Sequence, residues 1–207
     1  HTLVPADFRL VVPVGANQSE LTAHVIGIIE NQAPTKHLRL PISANNWEVK
    51  TDLKRDLAKI ALVERHHNTG RVQVGLVQGF GFTEPCGIAT TVAHDCHHMI
   101  VVGTSDEDMA LAANTLVECG GGQAVVKHGK VIGKVELTIA GLMSTEPAEV
   151  VAEKAATVLE GFKACGCRIN NPNMQLSLLG LVVIPELRIS DLGLVDTTRF
   201  DFCPVLE

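Results

Sequence analysis

Short apolar runs separated by turn residues dominate the chain, and they predict strands more often than helices. Segments rich in valine, isoleucine and leucine are bounded by glycine, asparagine and proline, which is typical of β-structure. The pattern predicts strands over 8–14, 22–30, 37–42, 57–63, 72–77, 88–93 and 99–102, a hairpin over 123–139 and a terminal strand region over 192–204. A further apolar run, 174–184, is broken by Pro185.

Two segments carry a helical repeat instead. The first follows a capping residue at Ser105 or Asp106, has acidic residues in its first turn and ends at the glycines of 120–122. The second is predicted to be capped by Thr145, with Pro147 in its first turn, and to run to about residue 164.

The order of these elements is strands, helix, hairpin, helix, strands, without strict alternation. It predicts an α+β fold with a mostly antiparallel sheet and two main helices. The first 50 residues have no helical period. We therefore expect a β-rich N-terminal segment, 1–50, followed by an α+β domain, 51–207.

Composition and charge exclude several classes of function. Of 207 residues, 46% are hydrophobic, but only 3% are aromatic, and the formal net charge is −6. Nucleic-acid surfaces need clustered basic residues, and many add aromatic rings for stacking, so we expect no nucleic-acid partner. The most apolar stretch, 176–184, is about half of the ~20 residues that a membrane-spanning helix needs, so we expect no membrane partner.

The six cysteines form no C-x-x-C pair, and the chain opens without the pattern of a signal peptide. These features favour reduced thiols and a cytoplasmic location.

The densest group of reactive side chains is 94–98, His-Asp-Cys-His-His, between two predicted strands. A metal site would use His94 and His98 with a third ligand from elsewhere. Alternatively, Asp95 orients a histidine that moves protons or binds a polar ligand. A third interpretation is a polar loop with hydrogen-bonded histidines and no reactive role.

A second polar group, 64–70, also follows an apolar strand. Arg65 has the planar fork that binds carboxylates and other anions, with Glu64 and His66 on either side. A surface turn with a salt bridge is the alternative. Because both groups end buried strands, neighbouring strands would bring them to the same edge of the sheet.

Several of these motifs together resemble a known family. The segments that carry the resemblance are 63–70 (VERHHNTG), 79–81 (GFG), 93–97 (AHDCH), 101–103 (VVG), 108–110 (DMA), 140–144 (AGLMS) and 193–196 (GLVD). In order and spacing they are similar to the C-terminal domain of bacterial adenine deaminases, over about residues 20–207. Cys96 and His98 depart from the family pattern His-Asp-Ser-His-Asn, so the resemblance favours the other loop residues as functional groups.

The resemblance implies an amidohydrolase that converts adenine and water to hypoxanthine and ammonia in purine salvage. In that family a barrel domain precedes this region and holds a two-metal centre of Mn²⁺ or Fe²⁺. The present sequence has no His-x-His pair of the kind that opens such a centre. We therefore expect no metal or other cofactor in this chain, and no deaminase activity from it alone.

The expected partners are the protein's own N-terminal barrel and, in the whole enzyme, adenine; a homo-oligomer is also possible. The candidate catalytic residues are His94, Asp95 and His97, and Glu64, Arg65 and His66 would form the rim of the substrate site. One alternative is a non-catalytic assembly module that packs through the apolar run 174–184. Another is a self-contained metal hydrolase built on His66, His94 and His98.

Overall fold

A computed structural model describes residues 2–207, and its centre is an eight-stranded sheet. The strands are β1 (Leu10–Val11), β2 (Leu21–Ile28), β3 (Thr35–Ile42), β4 (Glu48–Val49), β5 (Leu57–Val63), β6 (Val72–Gln78), β7 (Cys86–Thr90), β8 (Met99–Gly103), β9 (Gly122–Lys127), β10 (Lys130–Glu136), β11 (Leu187–Ser190), β12 (Gly193–Asp196) and β13 (Asp201–Cys203). The helices are α1 (Asp106–Cys119), α2 (Ala148–Ala164) and α3 (Pro172–Leu178), and Pro5–Phe8 and Leu53–Arg55 form 3₁₀ turns.

The central sheet has the order β10-β9-β7-β8-β5-β6-β2-β3. All of its neighbouring strands are antiparallel except β2 and β6, which run parallel. Strands β11–β13 form a separate antiparallel sheet, and β1 pairs with β4. The predicted α+β fold with a mostly antiparallel sheet is thus confirmed.

Both faces of the central sheet are covered, which explains why its middle strands lack polar alternation. All seven residues of β5 are buried. Ala61 and Val63 lie in a core with Met109 and Leu116 of α1. Ile60, one position away, lies in the opposite core with residues of α2, α3, β11 and β12.

The two main helices form where the sequence predicts them, with one correction. Ser105 caps α1 by accepting a hydrogen bond from the Asp108 amide (3.2 Å), and Gly120 ends it in the left-handed region (φ 84°). The predicted cap of the second helix at Thr145 is wrong, because α2 begins at Ala148 with Pro147 as its N-cap. Proline fits there because the first helical turn needs no backbone N–H from that residue.

Other differences lie near the ends of the chain. The predicted strand at 8–14 contains only the two-residue β1, which follows a 3₁₀ turn. The apolar run 174–184 is not one extended surface: Leu176 and Leu179 are buried in the core, whereas Val183 is exposed. This removes much of the support for an assembly face along that run.

The predicted division at residue 50 stays a prediction, although strands from both sides of it pair in one sheet. Within residues 2–207, no helix is long and apolar enough to cross a membrane.

Candidate functional site

The two polar segments meet because β5 and β8 are antiparallel neighbours. Val63, the last residue of β5, pairs with Met99, the first residue of β8. The loop that leaves β5 and the loop that enters β8 therefore lie at one edge of the sheet. We call residues 64–70 and 94–98 together the polar double loop.

Glu64 organises the first half of the polar double loop from a buried position (5% exposed). Its carboxylate accepts hydrogen bonds from the Thr69 amide (3.0 Å), the Thr69 hydroxyl (2.8 Å), the His67 amide (2.7 Å) and the His66 amide (2.5 Å). These bonds, that from the Thr69 amide first, lower the pKa of Glu64 to about 2. Glu64 is thus a fixed anion that holds the loop, and its oxygens are already engaged.

Arg65 joins the two halves of the polar double loop to a third segment. Its Nε donates to the His97 carbonyl and its Nη2 to the Ala140 carbonyl, each at 2.7 Å. Gly141 lets the segment approach, because a Cβ there would lie 2.9 Å from Arg65 Nη2 and 3.0 Å from Thr91 Oγ1. Two of the five guanidinium N–H donors are therefore used within residues 2–207, and the other three make no hydrogen bond to that part of the chain.

His66 and His98 form a ring pair across the two halves, with centroids 4.5 Å apart. His66 Nε2 lies 2.7 Å from the Cys96 carbonyl and must carry the hydrogen, because a carbonyl oxygen can only accept. His98 Nδ1 accepts from the Arg65 amide at 3.4 Å. Burial, with help from His66, lowers the pKa of His98, so this ring is neutral at neutral pH.

The candidate catalytic residues occupy the outer part of the same loop. Asp95 is exposed, and the rings of His94 and His97 meet edge-on with centroids 5.6 Å apart. His97 has a left-handed backbone (φ 47°), and its Nδ1 is enclosed without a hydrogen-bond partner among residues 2–207. Burial first and then His94 lower the pKa of His97, which keeps a neutral imidazole able to accept a proton.

A half-open cleft of about 230 Å³ lies beside the polar double loop. Its polar wall includes Glu64, Arg65, Asn68 and Thr91, and its apolar wall includes Leu116 of α1. None of the loop histidines lines it. The cleft and the loop histidines are therefore separate features of this edge of the sheet.

The polar double loop does not gather a metal-ligand set. In the part of the chain that is described, 2–207, the one group of three metal-ligand atoms within 4.8 Å of one another is His24, His37 and Cys203. His66, His94 and His98 do not bring three ligand atoms that close together, so the alternative of a self-contained metal hydrolase on these residues has no support from the structure.

A family comparison agrees with the motifs that surround the polar double loop. Residues 32–201 match the family described as the adenine deaminase C-terminal domain. The chain belongs to this family. The matched range includes β5 to β12 and both halves of the polar double loop, so this geometry is that of an adenine deaminase C-terminal domain.

Proteins named adenine deaminase are similar to this chain over nearly its whole length. The chain is 54% identical over 204 residues to "Adenine deaminase 3" of Rhizobium meliloti, covering 99% of the chain and 34% of that protein. It is 54% identical over 206 residues to an adenine deaminase of Roseobacter denitrificans (100% and 34%) and 44% identical over 202 residues to one of Clostridium botulinum (98% and 33%). The chain thus spans about a third of the length of these relatives.

Sequence reasoning missed several residues that shape this adenine deaminase C-terminal domain. Thr69 donates to Glu64 within the first loop, Thr91 donates to the Gly141 carbonyl, and the Ala140 carbonyl accepts from Arg65. The 140–144 motif, which is part of the family resemblance, was the sequence signal for the third segment. The Ser177 carbonyl, which accepts from the His94 amide at 2.9 Å, belongs to an apolar run that gave no such signal.

Proposed function

We propose that this chain is the C-terminal part of an adenine deaminase, which hydrolyses adenine to hypoxanthine and ammonia. The observation that carries the proposal is the match over nearly the whole chain to proteins named adenine deaminase, of which it spans about a third. The remaining two thirds of such a protein leave room for the barrel domain with its Mn²⁺ or Fe²⁺ ions. Purine salvage in the cytoplasm fits this activity, and the six unpaired cysteines fit a reducing compartment.

We further propose that the polar double loop faces the barrel and helps to complete its active site. Support comes from the polar groups that keep bonding capacity within residues 2–207: the exposed Asp95 carboxylate and the Arg65 N–H donors that make no hydrogen bond there. His97 Nδ1 also lacks a partner there, but it is enclosed, so the loop must shift before this atom meets a ligand. Glu64 holds the backbone of 66–69, and Arg65 Nε holds the His97 carbonyl, so both halves of the polar double loop are ordered before a ligand arrives. In this arrangement Glu64 positions the loop instead of touching the substrate.

The non-catalytic assembly module keeps some support from a different surface. Leu192, Phe200 and Phe202 are exposed on the sheet β11–β13 and its turns, with 58%, 84% and 57% of their surface accessible. Exposed apolar side chains favour contact with another domain or another copy of the chain. This surface is compatible with packing against the proposed barrel and does not require a separate function.

The 207-residue chain alone should release no ammonia from adenine, with or without added Mn²⁺ or Fe²⁺. The polar double loop lacks a metal-ligand set, and hydrolysis of the amidine needs an activated water. A coupled glutamate dehydrogenase assay measures ammonia, with a longer relative as the positive control. Adenine-dependent ammonia release by the chain would show that the catalytic groups lie within these residues and would overturn the proposed division of labour.

A further inference from the structure

A cluster of two imidazoles and a thiol lies away from the polar double loop, on strands that the proposed function does not use. His24 is on β2 and His37 is on β3. His37 pairs with Ile26, which is two residues after His24, so the two histidines lie diagonally on one face of the sheet. His24 Nδ1 lies 2.6 Å from His37 Nε2, and Cys203 Sγ lies 3.9 Å from the same His37 atom. The ligand atoms all lie within 4.8 Å of one another.

A carboxylate lies near the outer ring nitrogen of each imidazole, the nitrogen that faces away from the cluster. Glu207 Oε1 lies 2.9 Å from His24 Nε2, and Asp196 Oδ2 lies 3.5 Å from His37 Nδ1. His24 is only 4% exposed, and its Nε2 has no aligned hydrogen-bond partner within residues 2–207 despite this proximity. Carboxylates on the outer nitrogens of histidines orient the rings of metal sites and make their inner nitrogens better ligands.

We propose that His24, His37 and Cys203 bind a zinc-type divalent ion, with water completing the coordination. Two imidazole nitrogens and one thiolate are a ligand set that suits Zn²⁺. The inference departs from the expectation that this chain holds no metal, and it is independent of the deaminase proposal.

Two of the three ligand distances can be compared with those of a zinc site, and the third, from His24 to Cys203, is within 4.8 Å. Tetrahedral Zn²⁺ with Zn–N near 2.05 Å and Zn–S near 2.3 Å places two nitrogens about 3.3 Å apart and a nitrogen and a sulfur about 3.6 Å apart. The His37–Cys203 separation of 3.9 Å is close to that value. The His24–His37 separation of 2.6 Å is that of a hydrogen bond, so the rings must part by about 0.7 Å when an ion replaces the shared hydrogen.

The proton balance of binding is defined by the same contacts. The Cys203 thiol loses its proton to solvent, and the hydrogen between the rings moves to His37 Nδ1, where it faces Asp196. The thiolate and the two imidazole nitrogens then face the ion, and no group changes its oxidation state.

The ion would fasten the end of the chain to the edge of the central sheet. Residues 205–207 already pair with β2, through the bonds Thr22 N to Glu207 O (2.9 Å) and His24 N to Val205 O (2.9 Å). Cys203 lies just before this pairing, at the end of β13. A bound ion would thus join β2, β3 and the C-terminal segment at one point.

Titration of the metal-free 207-residue chain with Co²⁺ tests the site through a spectrum that does not depend on activity. We expect one equivalent to give visible bands of tetrahedral Co²⁺ and a near-ultraviolet cobalt–thiolate band, and Zn²⁺ to abolish both. Cys203→Ser should lose the thiolate band and weaken Zn²⁺ binding at least tenfold, as measured by calorimetry. Glu207→Gln should weaken binding about tenfold or more.

Matched variants separate this site from the other thiols and histidines. Cys119→Ser removes another half-buried free cysteine, and His66→Asn alters the polar double loop; both should keep the spectrum and affinity of the parent chain. His37→Asn, checked by circular dichroism, serves as a second site variant. The proposal is wrong if the parent chain binds no ion, if binding survives both Cys203→Ser and His37→Asn, or if His66→Asn removes it.

Discussion

Replacing Arg188 with methionine should destabilise the chain by about 3 kcal/mol, the largest stability effect that we expect from one substitution. Arg188 is fully buried, and its guanidinium donates to four carbonyls, those of Ala33 (2.6 Å), Ile184 (2.7 Å), Leu178 (3.0 Å) and Pro185 (3.1 Å). Burial lowers the pKa of Arg188 to about 10, so the group is still charged at neutral pH. Methionine would leave those carbonyls without this donor, although relief from burying the charge offsets part of the loss.

Thermal unfolding measures this effect directly. A loss of about 3 kcal/mol should lower the Tm by roughly 6–12 °C in a chain of this size. Arg168→Met is the matched control, because Arg168 is exposed and its replacement should change stability by no more than about 0.5 kcal/mol. Equal Tm values for the two variants would contradict the assignment of Arg188 as the group that ties α3 and the 181–186 turn to the 32–35 loop.

Replacing His97 with asparagine should lower kcat/KM for adenine by about 100-fold in the full-length enzyme that we propose, if the ring transfers a proton or holds the substrate. The variant is chosen because asparagine tolerates the left-handed backbone of His97 (φ 47°), which alanine would strain. Because the Arg65 bond goes to the His97 carbonyl, the loop contact survives the change of side chain. The Tm should therefore shift by no more than about 2 °C.

His67→Asn provides the control for this substitution. His67 lies in the other half of the polar double loop and is exposed, and it contacts Glu64 through its backbone amide. Its turnover should match that of the parent enzyme. If His97→Asn lowers the Tm while kcat/KM stays unchanged, or if both variants lose activity equally, the loop has a structural role and the assignment of His97 fails.

The sequence predicted much of this fold because most strands are apolar runs with clear turn residues at their ends. Strand β5 was predicted over its whole length, although burial on both faces hides the alternation that marks a half-buried strand. The short helix α3 was missed because its apolar residues continue into a turn, so periodicity alone could not separate the helix from a strand.

The candidate site was predictable in part for a similar physical reason. The two loops end neighbouring strands, so their meeting followed from the pattern, and the contacts of Arg65 and His66 confirm it. The engagement of Glu64 by backbone amides was not predictable, because it depends on the path of the loop. The cluster of His24, His37 and Cys203 was invisible, because 166 positions separate His37 from Cys203 and only the folded chain brings them together.

The central claim, that the polar double loop faces the active site of a deaminase, is tested most directly by hydrogen–deuterium exchange of the proposed full-length enzyme with and without hypoxanthine. The product avoids turnover during the measurement. We predict slower exchange in the peptides that contain 64–70 and 94–98 when hypoxanthine is bound, with no change in the β9–β10 turn at 127–130. Protection of barrel peptides alone, with unchanged exchange in both halves of the polar double loop, would contradict the claim.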